Sequence, residues 1–164
     1  MKKPIIDVII PVCHPDEKYA RLLKMLEKQS VHVNHVYVIN TGKEYYNEKQ
    51  FEYSGEISVR HIKEDEFDHG RTRHEGIMQS HADYCLLMTQ DAVPADAYLV
   101  EKLLDSFAVA DVAVAYARQL PDDNCRIIER LGRGFNYPEE SRIKYKDDIE
   151  KIGVKAIFCS DVCA

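Results

Sequence analysis

The chain has 164 residues, 45% of them hydrophobic and 30% charged, the composition of a globular domain rather than a disordered or collagen-like chain. Its 22 basic and 28 acidic residues give a net charge of −6, which argues against generic nucleic-acid binding, where a basic footprint is the rule. No apolar run approaches the ~20 residues that span a bilayer, and the short run Ile5 to Val12 behind Met1-Lys2-Lys3 is broken by Asp7, a poor signal peptide.

Ile5–Val12 is rich in β-branched residues and too short for a helix, so it reads as a buried strand. Pro15-Asp16-Glu17 then opens a helix, because proline suits the first turn and carboxylates favour its positive end. Leu22, Leu23, Met25 and Leu26 give that helix an apolar stripe. His35–Ile39 is a second strand, ended by the turn signal Asn40-Thr41-Gly42. Ile57–Ile62 alternates apolar and polar residues, the pattern of a half-exposed or edge strand. A helix runs from Gly70 to about His81, and Tyr84–Met88 is a strand followed by Thr89-Gln90-Asp91. Pro94 precedes a helix with Leu99, Leu103, Leu104 and Phe107 on one face. Val112–Ala117 reads as a further strand, Cys125–Leu131 as a short helix, and Val154–Cys159 as the last strand.

Strands alternating with helices imply a mostly parallel sheet with right-handed crossovers and helices on its faces. No internal repeat or low-complexity linker divides the chain, so residues 1–164 read as a single domain. Ligands of such sheets sit beyond the carboxyl ends of the strands. Three polar segments fall there: His14, Asn40-Thr41 and Gln90-Asp91. The five cysteines, Cys13, Cys85, Cys125, Cys159 and Cys163, are odd in number and scattered. They read as reduced thiols, most of them buried, without the paired spacing of a zinc site.

Asp91 follows an apolar strand and precedes Ala92-Val93-Pro94. A carboxylate there either caps the turn or holds Mg²⁺ or Mn²⁺, hard ions that keep waters and share phosphate oxygens. In Asp68-His69-Gly70-Arg71-Thr72-Arg73 a glycine at a helix start suits close approach to a phosphate. The arginines add charge-assisted donors, although residues two apart do not share a helix face. The bland alternative is a solvated helix start. His61, His69, His74 and His81 lack ligand spacing and read as surface or satisfied histidines. Between Arg126 and Lys146 six basic residues stand against three acidic ones, interleaved with Phe135 and Tyr137. Such a segment suits an anionic donor or an acidic membrane surface, and equally an ordinary charged face.

Six stretches, taken together, resemble the family 2 glycosyltransferases, and within them the rhamnosyltransferase group. They are Asp7-Val8-Ile9-Ile10-Pro11-Val12, Ile39-Asn40-Thr41-Gly42, Glu66 to Arg73, Thr89-Gln90-Asp91-Ala92, Arg133 to Pro138, and Phe158-Cys159-Ser160-Asp161. They run in the family's order over essentially the whole chain. The resemblance implies the three-layer α/β/α sandwich of nucleotide-diphosphosugar transferases (GT-A). It implies an inverting transfer of a sugar, rhamnose in that group, from a nucleotide-diphosphosugar donor to a polysaccharide or lipid-linked acceptor. Carried over by position, Pro11, Val12 and Asn40 lie along the base, and Gly70 and Arg73 approach the diphosphate. Asp91 is the last acidic residue of the family's Asp-x-Asp element and binds Mg²⁺ or Mn²⁺. His14, Thr41 and Gln90 complete the nucleotide-sugar-binding set. The family works in the cytoplasm at the inner face of the membrane, which implies peripheral membrane association.

This sequence departs from the family at Thr89, where the first acidic residue of that element belongs, and at Asn40, where many relatives have aspartate. No counterpart of the family's general base is visible. Asp161 is near the cleft in the pattern but does not match that base. The expectation is a donor-binding half, truncated before the acceptor half and prone to self-association through a bare sheet edge. A non-catalytic nucleotide-sugar-binding or interaction module with the same fold is the alternative. A nucleotidyltransferase would need a glycine-rich, lysine-bearing phosphate loop after strand one, and Cys13-His14-Pro15 does not supply it.

Overall fold

The computed structural model describes residues 3–121, 125–160 and 162–164. Asp161, whose approach to the cleft the sequence suggested, lies outside the described residues. The chain divides into two compact units, one of Met1–Ala115 with Asp161–Ala164 and one of Tyr116–Ser160.

The first unit is a sheet of four parallel strands, β1 (Ile6–Cys13), β2 (His35–Thr41), β3 (Glu56–Ile62) and β4 (Tyr84–Leu87), in the order β3-β2-β1-β4. The central strand β1 is apolar along nearly its whole length because both of its faces are covered. The alternating strand β3 is the edge, as its pattern predicted.

Helix α1 (Glu17–Glu27) connects β1 to β2, and α2 (His69–Gln79) connects β3 to β4. These crossovers run in opposite directions along the sheet, so right-handedness puts their helices on opposite faces. The Asp16 carboxylate caps α1 by accepting from the backbone N–H groups of Lys18 and Tyr19, at 2.9 and 3.3 Å. The buried stripe of α1 is Tyr19, Leu22, Leu23 and Leu26. Tyr19 completes the stripe in place of the expected Met25, which is half-buried. On the other face, α2 rests on Ile9 and Ile39 through Gly76. Buried Asp7 ties this layer together, accepting from Asn34 Nδ2 at 2.8 Å and Ser80 Oγ at 2.6 Å. Helix α3 (Leu99–Asp105) begins where Gln29 Oε1 accepts from the Val100 N–H.

Four sequence expectations are corrected. Val112–Ala117 forms no strand, because the place beside β4 is filled by the last residues of the chain. Leu87 and Ala164 exchange backbone hydrogen bonds of 2.6 and 3.0 Å, and the Thr89 N–H donates to the Val162 carbonyl at 3.0 Å. Val154–Cys159 is not a strand either: a 3-10 turn covers Gly153–Ala156, and the pairing falls to Cys163, which bridges Met88 antiparallel. The predicted turn Asn40-Thr41 is the buried end of β2, and the bend comes only at Gly42, whose φ of +81° suits glycine. Of the five cysteines only Cys163 is buried, while Cys13 and Cys159 are exposed.

The second unit carries α4 (Ile127–Asn136), longer than the predicted Cys125–Leu131, and α5 (Ile149–Ile152). Gln119 Nε2 donates to Tyr137 Oη and Ser160 Oγ, at 2.7 and 3.0 Å. Lys144 Nζ reaches Tyr116 Oη at 2.6 Å and the Phe158 carbonyl at 2.9 Å.

Candidate functional site

The chain leaves β1 toward β2 and β3 and returns to its other side at β4, so the topological switch point lies between β1 and β4. Pairing between these strands stops early. The Ile9 carbonyl accepts from the Met88 N–H at 3.0 Å. Pro11, two residues on, directs its backbone the same way and has no N–H to continue the ladder. The next amide on that side, Cys13 N–H, donates instead to Gln90 Oε1 at 2.7 Å. A proline at the end of β1 therefore ends the pairing with β4, and a glutamine after β4 bridges the two strands at the place where such sheets hold their ligands. Asp91 is exposed beside it, its Oδ1 accepting from Thr89 Oγ1 at 2.8 Å. His14 follows β1 at φ +49° and stacks on Tyr45, ring centroids 3.7 Å apart.

The end of β2 is polar and buried, the opposite of what transfer energies favour. Asn40 is 0% exposed and Thr41 5%. Asn40 Nδ2 donates to the Gly42 carbonyl at 2.8 Å and meets His61 Nδ1 at 3.1 Å. Asn40 Oδ1 and Thr41 Oγ1 have no partner. Beside them, a cavity of about 380 Å³ is lined by Gly42 to Glu44 and by His61 and the residues after it. A second, apolar hollow of about 170 Å³ lies between β4 and α3, away from all of these groups.

Helix α2 runs back against the strands, so its amino end lies over their carboxyl ends. Gly76 covers Ile9 and Ile39, and Arg73 is one turn nearer the crevice. Of the two arginines in the predicted phosphate segment, Arg73 is buried, whereas Arg71 is exposed and donates to the Glu66 carbonyl. Arg73 Nη1 donates to the His69 carbonyl at 3.0 Å, its Nε has no partner, and among the described residues it makes no ion pair. A buried guanidinium without a carboxylate calls for an anion.

Gly70 is exposed, and a Cβ there would meet only Asp68 Oδ1 at 3.6 Å. The amides at this helix start are already served by Asp68, whose Oδ1 accepts from the Arg71 N–H at 2.7 Å. That bond, first among the causes, holds the Asp68 carboxyl below its usual range. A lowered value means its stabilisation is complete above the ordinary carboxylate range and is lost as pH falls through the folded value. Thermal melting of the wild type is therefore expected to fall more steeply below about pH 4 than that of Asp68→Asn, which still caps the helix without a charge to titrate. Parallel acid limbs for the two proteins contradict this.

The residues the sequence singled out all lie in the first unit. Pro11 and Val12 end β1 and His14 follows it, Gln90 and Asp91 follow β4, Asn40 and Thr41 end β2, and Gly70 and Arg73 belong to α2. The stretches Arg133 to Pro138 and Phe158 to Ser160 belong to the second unit. Sequence reasoning missed Asp68 as a cap, Tyr45 as the partner of His14, and His61 as the partner of Asn40. Only the Asp68 cap carried a usable signal, an acidic residue just before a helix. No group of three or more metal-binding side chains occurs among the described residues. The donor set is one carboxylate, which fits a hard divalent cation taking its other ligands from phosphate and water.

Comparison with known proteins agrees with this architecture. Residues 7–164 match the model of Glycosyl transferase family 2. The chain is 30% identical over 157 residues to the O-antigen chain rhamnosyltransferase RfbN of Salmonella typhimurium, covering 95% of this chain and 50% of that protein. It is 34% identical over 110 residues to the O-antigen chain rhamnosyltransferase WbaN of Salmonella anatum, covering 66% of this chain and 34% of that protein. The chain thus spans half or less of the length of these curated relatives.

Proposed function

Since the chain belongs to glycosyltransferase family 2, we propose that its first unit binds a nucleotide-diphosphosugar donor for transfer, with inversion, to a growing polysaccharide or lipid-linked acceptor. Rhamnose is the sugar suggested by the names of the two Salmonella relatives. The reading is carried by three buried polar atoms without partners, Asn40 Oδ1 and Thr41 Oγ1 at the carboxyl end of β2 and Arg73 Nε in the first half of α2. Buried polar groups are normally satisfied, and exceptions at the ligand-binding end of such a sheet are what a polar ligand would complete.

In this reading Pro11, Val12, His14 and Asn40 hold the base, with Thr41 and Gln90 at its ribose side. Arg73 and the start of α2 at Gly70 face the diphosphate. As the sugar departs, charge builds on the leaving nucleoside diphosphate, and a buried guanidinium already fixed by His69 stabilises it without reorganising. Asp91 is the ligand for Mg²⁺ or Mn²⁺, which when bound neutralises that same charge. The acceptor hydroxyl requires a general base, and no residue of this crevice is assigned that role. The reaction is set in the cytoplasm, at the inner face of the membrane where lipid-linked acceptors would be met. No helix among the described residues is long and apolar enough to cross a membrane.

Calorimetric titration with UDP, dTDP and GDP, with and without Mn²⁺, tests the proposal. Metal-dependent binding of one diphosphate in the micromolar to millimolar range is the expected result. Absence of binding by all three would overturn it in favour of an interaction module that keeps the fold without the ligand, a reading to which Thr89 in place of an acidic residue lends weight.

A further inference from the structure

The pairing of β2 with β3 sets Asn40 directly opposite His61, and opposed residues of neighbouring strands share a face. The contact between their side chains fixes which end of the Asn40 amide is free. The Gly42 carbonyl, 2.8 Å away, can only accept, so the group facing it is the amide NH₂. The second hydrogen of that NH₂ points to His61 Nδ1 at 3.1 Å. His61 Nδ1 is then the acceptor, and the ring carries its hydrogen on Nε2. Both amide hydrogens are spent, and the carbonyl oxygen Oδ1 is left buried with no partner. The two partners of Asn40, Gly42 and His61, line the cavity of about 380 Å³, and Asn40 stands behind them, fully buried.

We infer that His61 is a positioning residue for base selection: it holds Asn40 so that the site offers a fixed acceptor, and it thereby favours bases with a ring N–H on their pairing edge. Uracil, thymine and guanine carry that N–H. Cytosine and adenine present a ring nitrogen lone pair at the same place, which would face Oδ1 acceptor to acceptor. A rotated amide would reverse the preference, and the bonds to His61 Nδ1 and the Gly42 carbonyl prevent the rotation. The inference rests on the donor-binding reading above.

The test is a five-member panel, UDP, dTDP, GDP, CDP and ADP, titrated with Mn²⁺ into the wild type, His61→Phe and His61→Gln. The wild type is expected to bind the best of UDP, dTDP and GDP at least about tenfold more tightly than CDP or ADP, the scale of a buried hydrogen-bonding group left unpaired. In His61→Phe that ratio falls several-fold, because the Gly42 carbonyl alone holds the amide. In His61→Gln the side-chain carbonyl restores an acceptor, and the ratio recovers. A purely structural role for His61 would lower the affinity for all five diphosphates alike and leave the ratio unmoved, which overturns the inference. Equal affinity of the wild type for CDP or ADP overturns it too, while the donor-binding reading stands. Failure of all five to bind overturns both.

Discussion

Replacing Asp91 with alanine is expected to remove the metal-dependent part of nucleotide binding, a loss of roughly tenfold to a hundredfold, the range for interactions with a charged group. Asp91 is exposed and its carboxylate's one described partner is Thr89 Oγ1, so the fold should not notice the change, and melting should stay within about 0.5 kcal/mol of the wild type. What remains in the variant is the affinity that Arg73 and the base site supply without a cation. The wild type in EDTA and Asp91→Ala in Mn²⁺ should therefore bind the same nucleoside diphosphate equally weakly. Thr89→Val removes only the hydroxyl that orients the carboxylate and should cost less. Calorimetry with and without Mn²⁺ separates these outcomes. An undiminished response to Mn²⁺ in Asp91→Ala would remove Asp91 from the site.

The positions of the candidate residues in the fold were legible where local chemistry and topology agree. The apolar run before Pro11 and the run before Thr89 mark strands that end in polar residues, and alternation with helices puts those ends on one side. Arg73 could be separated from Arg71 in principle, since two residues on a helix point some 200° apart, and it is Arg73 that is buried. What could not be read was anything depending on pairing between distant strands. Val112–Ala117 and Val154–Cys159 have strand-like composition, yet the place beside β4 went to residues 162–164, which carry no stronger signal. Asn40 and Thr41 look like a turn because polar residues before glycine usually are one. They are instead buried in β2, at a cost in unsatisfied atoms that folding alone does not explain. His61 has no ligand spacing in the sequence. Its link to Asn40 follows only from the register of β2 on β3, and register is set by the folded sheet.

Glycine at position 76 gives the second large effect, and its sign is diagnostic. Glycine inside a helix ordinarily costs about 1 kcal/mol relative to alanine, so on an open helix face Gly→Ala stabilises. In α2 a Cβ at Gly76 would lie 2.6 Å from Ile9 Cγ2 and 3.1 Å from Ile39 Cδ1, and both isoleucines are buried in the sheet. Neither can yield without moving the core, so Gly76→Ala should destabilise by about 1–3 kcal/mol, the usual range for overpacking. That is a fall in melting temperature of roughly 2–4 °C per kcal/mol for a chain near this length. The helix would have to lift from the sheet, carrying Arg73 away from the crevice one turn on, so nucleotide affinity should fall together with stability. The glycines of α4 supply the control. A Cβ at Gly132 or Gly134 meets nothing within 4 Å, and alanine at either should be neutral or stabilising by up to about 1 kcal/mol. Pairing Gly76→Ala with Ile9→Ala should recover part of the loss, because the two share one contact. If Gly76→Ala stabilises as the α4 substitutions do, then α2 does not rest on Ile9, and the position of Arg73 over the crevice loses its support.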